Sequence, residues 1–186
     1  DRLSCLVPAH PITGKEVAGV AHADARLYQG CHTILTPLPD TPAGRLHTAQ
    51  ALWTAIGSQV SVMDTATHDA TFAAVSHLPH LLAFAAVNAL TAQPQGAAYL
   101  SMAGPGFRDF SRIAASAPSV WRDILSVNRI EVLTQLSHFR AALEQFEQVL
   151  QSGDAQALEQ LIQRASAVRA AWSLPAHTPS HSRSES

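Results

Sequence analysis

Apolar positions recur with two different periods along this chain, and the change falls near residue 64. Before it, short apolar runs are closed by proline or glycine. Leu3, Cys5, Leu6 and Val7 read as a strand ending at Pro8, and Cys31 to Thr36 (CHTILT) as a second strand closed by Pro37. A polar, Pro-rich turn (LPDTPAG) leads to a helical pattern from Arg45 to Ile56. There Leu46, Ala49, Leu52, Trp53 and Ile56 share one face, and Gly57 marks the stop. Gln59 to Met63 reads as a third strand. Strand, helix and strand in that order predict a parallel α/β layer, and residues 1–64 read as the closing part of one.

From Thr65 the period becomes helical. Asp64 or Thr65 can cap a helix that Phe72, Val75, Leu78, Leu82 and the run Phe84 to Leu90 keep apolar nearly all round, which predicts burial inside protein. A loop around Pro94 to Gly96 and a break at Gly104–Pro105–Gly106 precede a short helix, Phe107 to Ala115. Pro118 opens a long helix to about Leu150, with Val120, Ile124, Val127, Ile130, Leu133 and Leu136 recurring at three- and four-residue steps. Ser152–Gly153–Asp154 stops it and caps a last helix to about Trp172. Residues 173–186 are polar and Pro/Ser-rich and read as a disordered tail. The expected architecture is therefore mainly α: an all-helical domain over 65–172, preceded by the last strands and helix of an α/β domain.

Composition narrows the function classes. Of the 186 residues 47% are hydrophobic, enough for a proper core, and 14% are charged, a low share that goes with self-association surfaces. A net charge of −2 with the signs mixed gives no footprint for nucleic acid or an anionic membrane. Cys5 and Cys31 lack CxxC spacing and read as free thiols of a reducing compartment. The first residues carry no signal-peptide pattern, and the most apolar stretch, Leu78 to Ala92, is too short by itself to span a bilayer. The expectation is a cytoplasmic protein.

Three segments carry candidate chemistry. In PAHPITGKEVAG, His10 directly follows a strand, where open parallel sheets collect ligands; a loop histidine bonded to backbone is the plainer alternative. In SHLPHLLAF, His77 and His80 are spaced for one helix face, with His68 upstream. Zinc needs three or four ligands and no cysteine is near, so no metal is assigned. Pro79 removes a backbone donor there and predicts a bend that aims side chains into a cavity. In GPGFRDFSRIAASAPSVWRDI, Gly104 and Gly106 allow a close backbone approach. Asp109 and Arg112 are spaced to pair on one helix face, holding a guanidinium for bidentate capture of a carboxylate. A surface ion pair is the plainer reading.

In order and spacing these segments resemble the prephenate/arogenate dehydrogenase family. The family's H-P-[IM]-x-G-x-E stretch stands here as His10 to Glu16, its S-H-L-P-H as Ser76 to His80, and its G-F-[RK]-D-x-[ST]-R-I-A as Gly106 to Ala114. The L-[YF]-x-G before a strand stands as Leu27 to Gly30, and W-R-D-I as Trp121 to Ile124. The likeness runs from about Leu6 to about Leu150. It implies a Rossmann-like α/β domain before a helical substrate-binding and dimerisation domain, NAD or NADP as cofactor, a homodimer, and oxidative decarboxylation of prephenate or arogenate. The family's G-x-G-x-x-G turn, which takes the cofactor pyrophosphate, has no counterpart in the chain, so the chain alone is expected to bind cofactor poorly. Lys15 stands where a small or hydroxyl residue is expected, which leaves prephenate against arogenate open.

The resemblance implies roles residue by residue. His10 accepts the substrate hydroxyl proton, and Arg112, oriented by Asp109, anchors a carboxylate. His80 and the Gly106 backbone are further substrate contacts, Glu16 pairs with Arg112 or screens the pocket entrance, and Trp121 closes a pocket across the dimer interface. One rival reading is a helical dimerisation module without chemistry. Another is a β-hydroxyacid dehydrogenase, which usually relies on a lysine of its helical domain; no lysine follows Thr65.

Overall fold

The computed structural model describes residues 2–14 and 19–173, so Lys15, Glu16 and the tail from 174 onward lie outside the described residues. The chain divides into two compact units, Asp1–His68 with Glu159–Ser186, and Asp69–Leu158.

The first unit is built on a sheet of β1 (Ala9–Pro11), β2 (His32–Leu35) and β3 (Gln59–Val62), in that spatial order. β2 and β3 run parallel, His32 opposite Gln59 and Leu35 opposite Val62, with α1 (Ala43–Ala55) as the crossover. This is the strand–helix–strand unit that the apolar pattern predicts. β1 departs from it. The strand expected over Leu3 to Val7 is absent: Arg2–Cys5 forms a 3-10 turn, and β1 begins beyond Pro8 and pairs antiparallel to β2, Ala9 opposite Leu35. The cause is the partner strand. Thr36 N–H donates to the Pro8 carbonyl at 3.0 Å and Ile12 N–H to the His32 carbonyl at 2.7 Å, which fixes where the edge can pair. Pro11 has no N–H and is tolerated on such an edge strand.

β2 is the middle strand and holds the buried residues Thr33, Ile34 and Leu35, with Thr36 buried just beyond it. The Thr33 hydroxyl donates to Ser58 Oγ at 3.1 Å and Ser58 Oγ donates to the Tyr28 carbonyl at 3.1 Å, so these hydroxyls are buried with partners. β3 leads into α2 (Thr65–Phe72), which Asp64 caps: its carboxylate accepts the Thr67 N–H at 2.8 Å and the Thr67 hydroxyl at 2.6 Å. The Thr67 hydroxyl bond, then the Thr67 N–H bond, hold the Asp64 carboxyl below its ordinary pKa.

In the second unit the helix begun by α2 continues through a π-helical segment, Ala73–His77, into α3 (Leu78–Thr91). Leu78 N–H reaches back five residues to the Ala73 carbonyl, which widens the helix just before Pro79. After α4 (Gly96–Ser101) and α5 (Pro105–Ser111), the chain makes a 3-10 turn over Arg112–Ala115. The single helix expected from Pro118 to Leu150 is two, α6 (Pro118–Val127) and α7 (Arg129–Ser152), which part at Asn128. The Asn128 amide donates to the Asp69 carbonyl at 2.8 Å and lies 3.1 Å from His77 Nδ1. A side chain with two acceptors off its own helix is held where the backbone turns, and the apolar period runs straight past it. α7 ends on Gly153 in the left-handed region (φ 70°), and Asp154 caps α8 (Ala155–Ala171), accepting the Ala157 N–H at 2.9 Å.

Burial differs from expectation in one respect. The continuous helix Thr65–Thr91 is, by length and composition only, long and apolar enough to cross a membrane, so the shorter estimate from Leu78 to Ala92 is corrected. The chain alone does not bury it as its composition predicts: its fully buried residues are Phe72, Ala73 and Ala83. Along α6 and α7 only Val132 is fully buried, while Val127 is 89% and Ile130 72% exposed.

The turn between α3 and α4 supplies a test. A Cβ on Gly96 would stand 2.5 Å from the Leu90 carbonyl oxygen and 3.0 Å from Thr91 Cα, whereas one on Gly104 meets nothing within 4 Å. Gly96→Ala is therefore expected to cost about 1–3 kcal/mol in denaturant unfolding, an overpacking penalty that must move backbone. Gly104→Ala should stay within roughly 0.5 kcal/mol of the parent.

Candidate active site

His10 lies inside β1 rather than after a strand. Because β1 runs antiparallel, His10 sits opposite Ile34, one residue from the carboxyl end of β2. α2 starts from the carboxyl end of β3, and its first turns bring His68 to the same place in the first unit. His10 Nδ1 and His68 Nε2 are 2.9 Å apart and the rings meet edge-on at 5.1 Å. Burial, and then the charge His68 would carry, push the His10 pKa below its ordinary 6.5. His10 is thus a neutral imidazole at neutral pH. His68 was not among the residues singled out as site candidates. Its signal was available: a polar residue in the first turns after a parallel strand falls where α/β sheets gather ligand groups.

In the second unit the expected S-H-L-P-H segment forms a cluster. His80 Nδ1 lies 2.9 Å from the Ser76 carbonyl. A carbonyl only accepts, so Nδ1 carries the proton and Nε2 presents a lone pair. Burial lowers the His80 pKa most; the Ser76 bond opposes this, and the Arg112 charge adds to the lowering. The ring stacks on Trp121, with centroids 3.5 Å apart and planes 18° from parallel, and Phe84 stands edge-on to that indole at 6.3 Å. Trp121, expected to close a pocket across a dimer interface, here covers His80 of its own chain. The same indole walls a cavity of about 480 Å³ with Phe84, Val87, Asn88, Ala114 and Leu125. His77 meets Trp121 edge-on at 6.2 Å. The Asp69 carbonyl can only accept and so orients the Asn128 amide; that amide then donates to His77 Nδ1 and leaves the His77 proton on Nε2.

Arg112 opens the 3-10 turn after α5, close enough for its charge to act on His80. The expected pairing of Asp109 with Arg112 is replaced. Asp109 takes its neighbour Arg108, Nε to Oδ1 at 3.0 Å, and both side chains are exposed. α5 ends at Ser111, so the regular three-residue spacing of an α-helix does not extend to Arg112. Gly106 is exposed in the first turn of α5, and a Cβ there meets nothing within 4 Å, so no protein neighbour requires a glycine. Glu16 lies outside the described residues. Among the described residues no group of 3 or more His, Cys, Asp and Glu gathers as a metal site.

A dinucleotide pyrophosphate needs several free backbone amides at a helix N-terminus. β2 reaches α1 through Pro37, Pro39 and Pro42, and Pro42 is the N-cap without a side-chain cap bond. Pro42 has no amide to give at the N-cap, and no described residue is assigned to cofactor.

The family model described as prephenate dehydrogenase, nucleotide-binding domain, matches residues 2–62, and that described as prephenate dehydrogenase, dimerization domain, matches residues 64–164. Cyclohexadienyl dehydrogenase of Zymomonas mobilis is 33% identical over 151 residues, 80% of this chain and 52% of that protein. Prephenate dehydrogenase of Bacillus subtilis is 30% identical over 155 residues, 82% of this chain and 42% of that protein. The chain thus spans about half the length of the curated relatives it matches. Prephenate dehydrogenase of Aquifex aeolicus, solved with hydroxyphenyl propionate and NAD+, superposes with a TM-score of 0.82 at 34% identity, over 88% of this chain and 58% of that one. With its helical domain after a Rossmann-like α/β portion and both family models matched in sequence, the chain belongs to the prephenate dehydrogenase family.

Proposed function

We propose that the protein containing this chain carries out oxidative decarboxylation of prephenate to 4-hydroxyphenylpyruvate, or of arogenate to tyrosine, in tyrosine biosynthesis in the cytoplasm. The observation that carries the reading is the Arg112–His80–Trp121 cluster. It joins a cation, a neutral acceptor of fixed tautomer and an aromatic wall, the three things a ring bearing a carboxylate and a hydroxyl asks for. The described residues supply no pyrophosphate site, so the chain alone is not expected to turn over.

A nicotinamide dinucleotide, NAD or NADP, serves the family reaction as hydride acceptor. The work of this chain lies in the other half of the chemistry. The substrate hydroxyl must lose its proton as the ring is oxidised, and His10, neutral at neutral pH, takes it. Arg112 holds a carboxylate, in the ground state and the transition state alike. His80 is a second polar contact for the substrate, and Trp121 covers the ring. Gly106 lets substrate approach backbone, the one reason left for a glycine with open space around it. Glu16, outside the described residues, is kept as a further substrate-contact candidate, and Asp109 as an indirect one through Arg108. A homodimer follows from the apolar faces of α6 and α7 that the chain leaves uncovered. The alternative of a dimerisation module without chemistry rests on those same faces, and it gives no reason for the tautomer held at His80.

Three measurements test this reading. In the full-length enzyme Arg112→Ala removes a charged hydrogen bond worth about 1.5–3 kcal/mol, and should raise KM by roughly 10- to 100-fold with kcat little changed. His10→Asn should lower kcat at nearly constant KM. The wild-type kcat should fall as pH drops through the His10 pKa, in a limb lying below the ordinary 6.5 because burial and His68 favour the neutral ring. That limb should vanish in His10→Asn; His10 acting on KM alone and Arg112 on kcat alone would refute the roles. By ring-proton NMR, His80 should titrate below 6.5 and move upward in Arg112→Ala, since one lowering influence is gone. Light scattering at micromolar concentration should give a dimer mass, with an interface above roughly 2,000 Å². A monomer would remove the homodimer from the proposal.

A further inference from the structure

We propose that His68 is a positioning residue for His10: through the His10 Nδ1–His68 Nε2 contact it holds His10 in the one tautomer able to accept a proton at Nε2. The inference rests on the assignment of His10 as proton acceptor made above, and adds a residue which that assignment does not include.

The geometry comes first. Two ring nitrogens 2.9 Å apart need one proton between them, with a donor on one side and a lone pair on the other. Two arrangements satisfy this. In one, His10 Nδ1–H donates to His68 Nε2, and His10 Nε2 keeps its lone pair. In the other, His68 Nε2–H donates to His10 Nδ1; the His10 proton then sits on Nε2, and no lone pair is left to take another. Only the first arrangement is compatible with base catalysis by neutral His10. The contact is held by two regular elements. His10 is fixed by β1–β2 pairing, and His68 by an α2 start that Asp64 caps through Thr67. Both rings are partly buried, which suits a fixed rather than a fluctuating pair.

The choice of a histidine as the orienting group has a chemical consequence. A carboxylate in its place would add negative charge and raise the His10 pKa. His68 orients the ring without doing so, and the charge it would carry lowers that pKa instead. When the substrate O–H bond breaks, its electrons stay on oxygen as the carbonyl forms and its proton joins the Nε2 lone pair. The Nδ1–H of the imidazolium then makes a charge-assisted bond to His68 Nε2. Among the described residues, β2 and α2 supply the groups named here that face His10. From β2 it meets Ile34, and the nearest titratable residue on that strand is His32; from α2 it meets His68, while Asp64 is exposed and engaged by Thr67.

The test combines a direct reading of protons with kinetics. Long-range proton–nitrogen NMR on this chain at neutral pH should show His10 protonated at Nδ1 and bare at Nε2, with His68 bare at Nε2. A proton on His10 Nε2 in the neutral pair would overturn the proposal without any assay. In the full-length enzyme His68→Leu should lower kcat roughly tenfold or more with KM little changed, and shift the acid limb of kcat upward as the like charge is lost. His68→Gln, whose amide oxygen can accept the Nδ1–H, should recover most of that loss. If His10→Asn abolishes kcat while His68→Leu leaves both kcat and the limb unchanged, the positioning role is wrong and the base assignment stands. If His10→Asn retains kcat, the base assignment falls and takes this proposal with it. Should His68→Leu fail to fold, the wild-type NMR and His68→Gln still decide.

Discussion

The missing amide of Pro79 is the constraint around which the second unit is arranged. In an uninterrupted α-helix its ring would collide with the carbonyl four residues back and leave that carbonyl without a donor. The chain meets this by widening to π-helical turns over Ala73–His77, just before the proline. The widening adds a residue to the turn and changes which side chains share a face. His77 and His80, three residues apart where the segment passes into α3, both stand against the Trp121 indole. The Ser76 carbonyl is reached by the His80 ring, and that bond decides the His80 tautomer. The bond on one ring nitrogen thus determines what the other can do.

How far the sequence foretells this depends on the range of the interaction that decides each feature. α1, α8 and the β2–α1–β3 unit follow from local period and local stops, Gly57 and Gly153 among them, and they stand where the pattern puts them. β1 does not. Leu3 to Val7 has the apolar character of a strand, but a short edge strand goes where the partner offers a free N–H and C=O, here Thr36 N–H to the Pro8 carbonyl and the His32 carbonyl to Ile12 N–H. The break at Asn128 is hidden for the same reason. Val127 and Ile130 keep the apolar period on both sides, and the groups that hold the break, the Asp69 carbonyl and His77, lie some 50–60 residues back in sequence.

The candidate site divides in the same way. His10 and His80 stand out because each sits beside a proline in a short motif, and Arg112 and Trp121 because they fall in the G-F-[RK]-D-x-[ST]-R-I-A and W-R-D-I stretches. Their partners do not. The pairing expected between Asp109 and Arg112 assumed a helix through both, and α5 stops between them. His68 carries no motif of its own, and its meaning comes from the strand order that sets α2 beside β1. Sequence spacing marks residues that must be of one type, whereas the groups that orient them are fixed by topology.

The exposed apolar strip adds a last consequence. Val127 and Ile130 flank Asn128, and they are among the most exposed large apolar residues of their helices. An amide–carbonyl bond open to water contributes little net free energy, because water competes for both groups; the same bond under cover is stronger and costlier to break. In the dimer proposed above, a second copy lying over Val127 and Ile130 would remove water from the Asn128 bonds to Asp69 and His77. The break between α6 and α7 would then be firmer in the assembly than in the single chain. Trp121 lies on α6 and His77 in the π segment, so the ring contacts at His80 would tighten with it. On this argument assembly and site order are linked within one unit, through a single asparagine at the end of an apolar stripe.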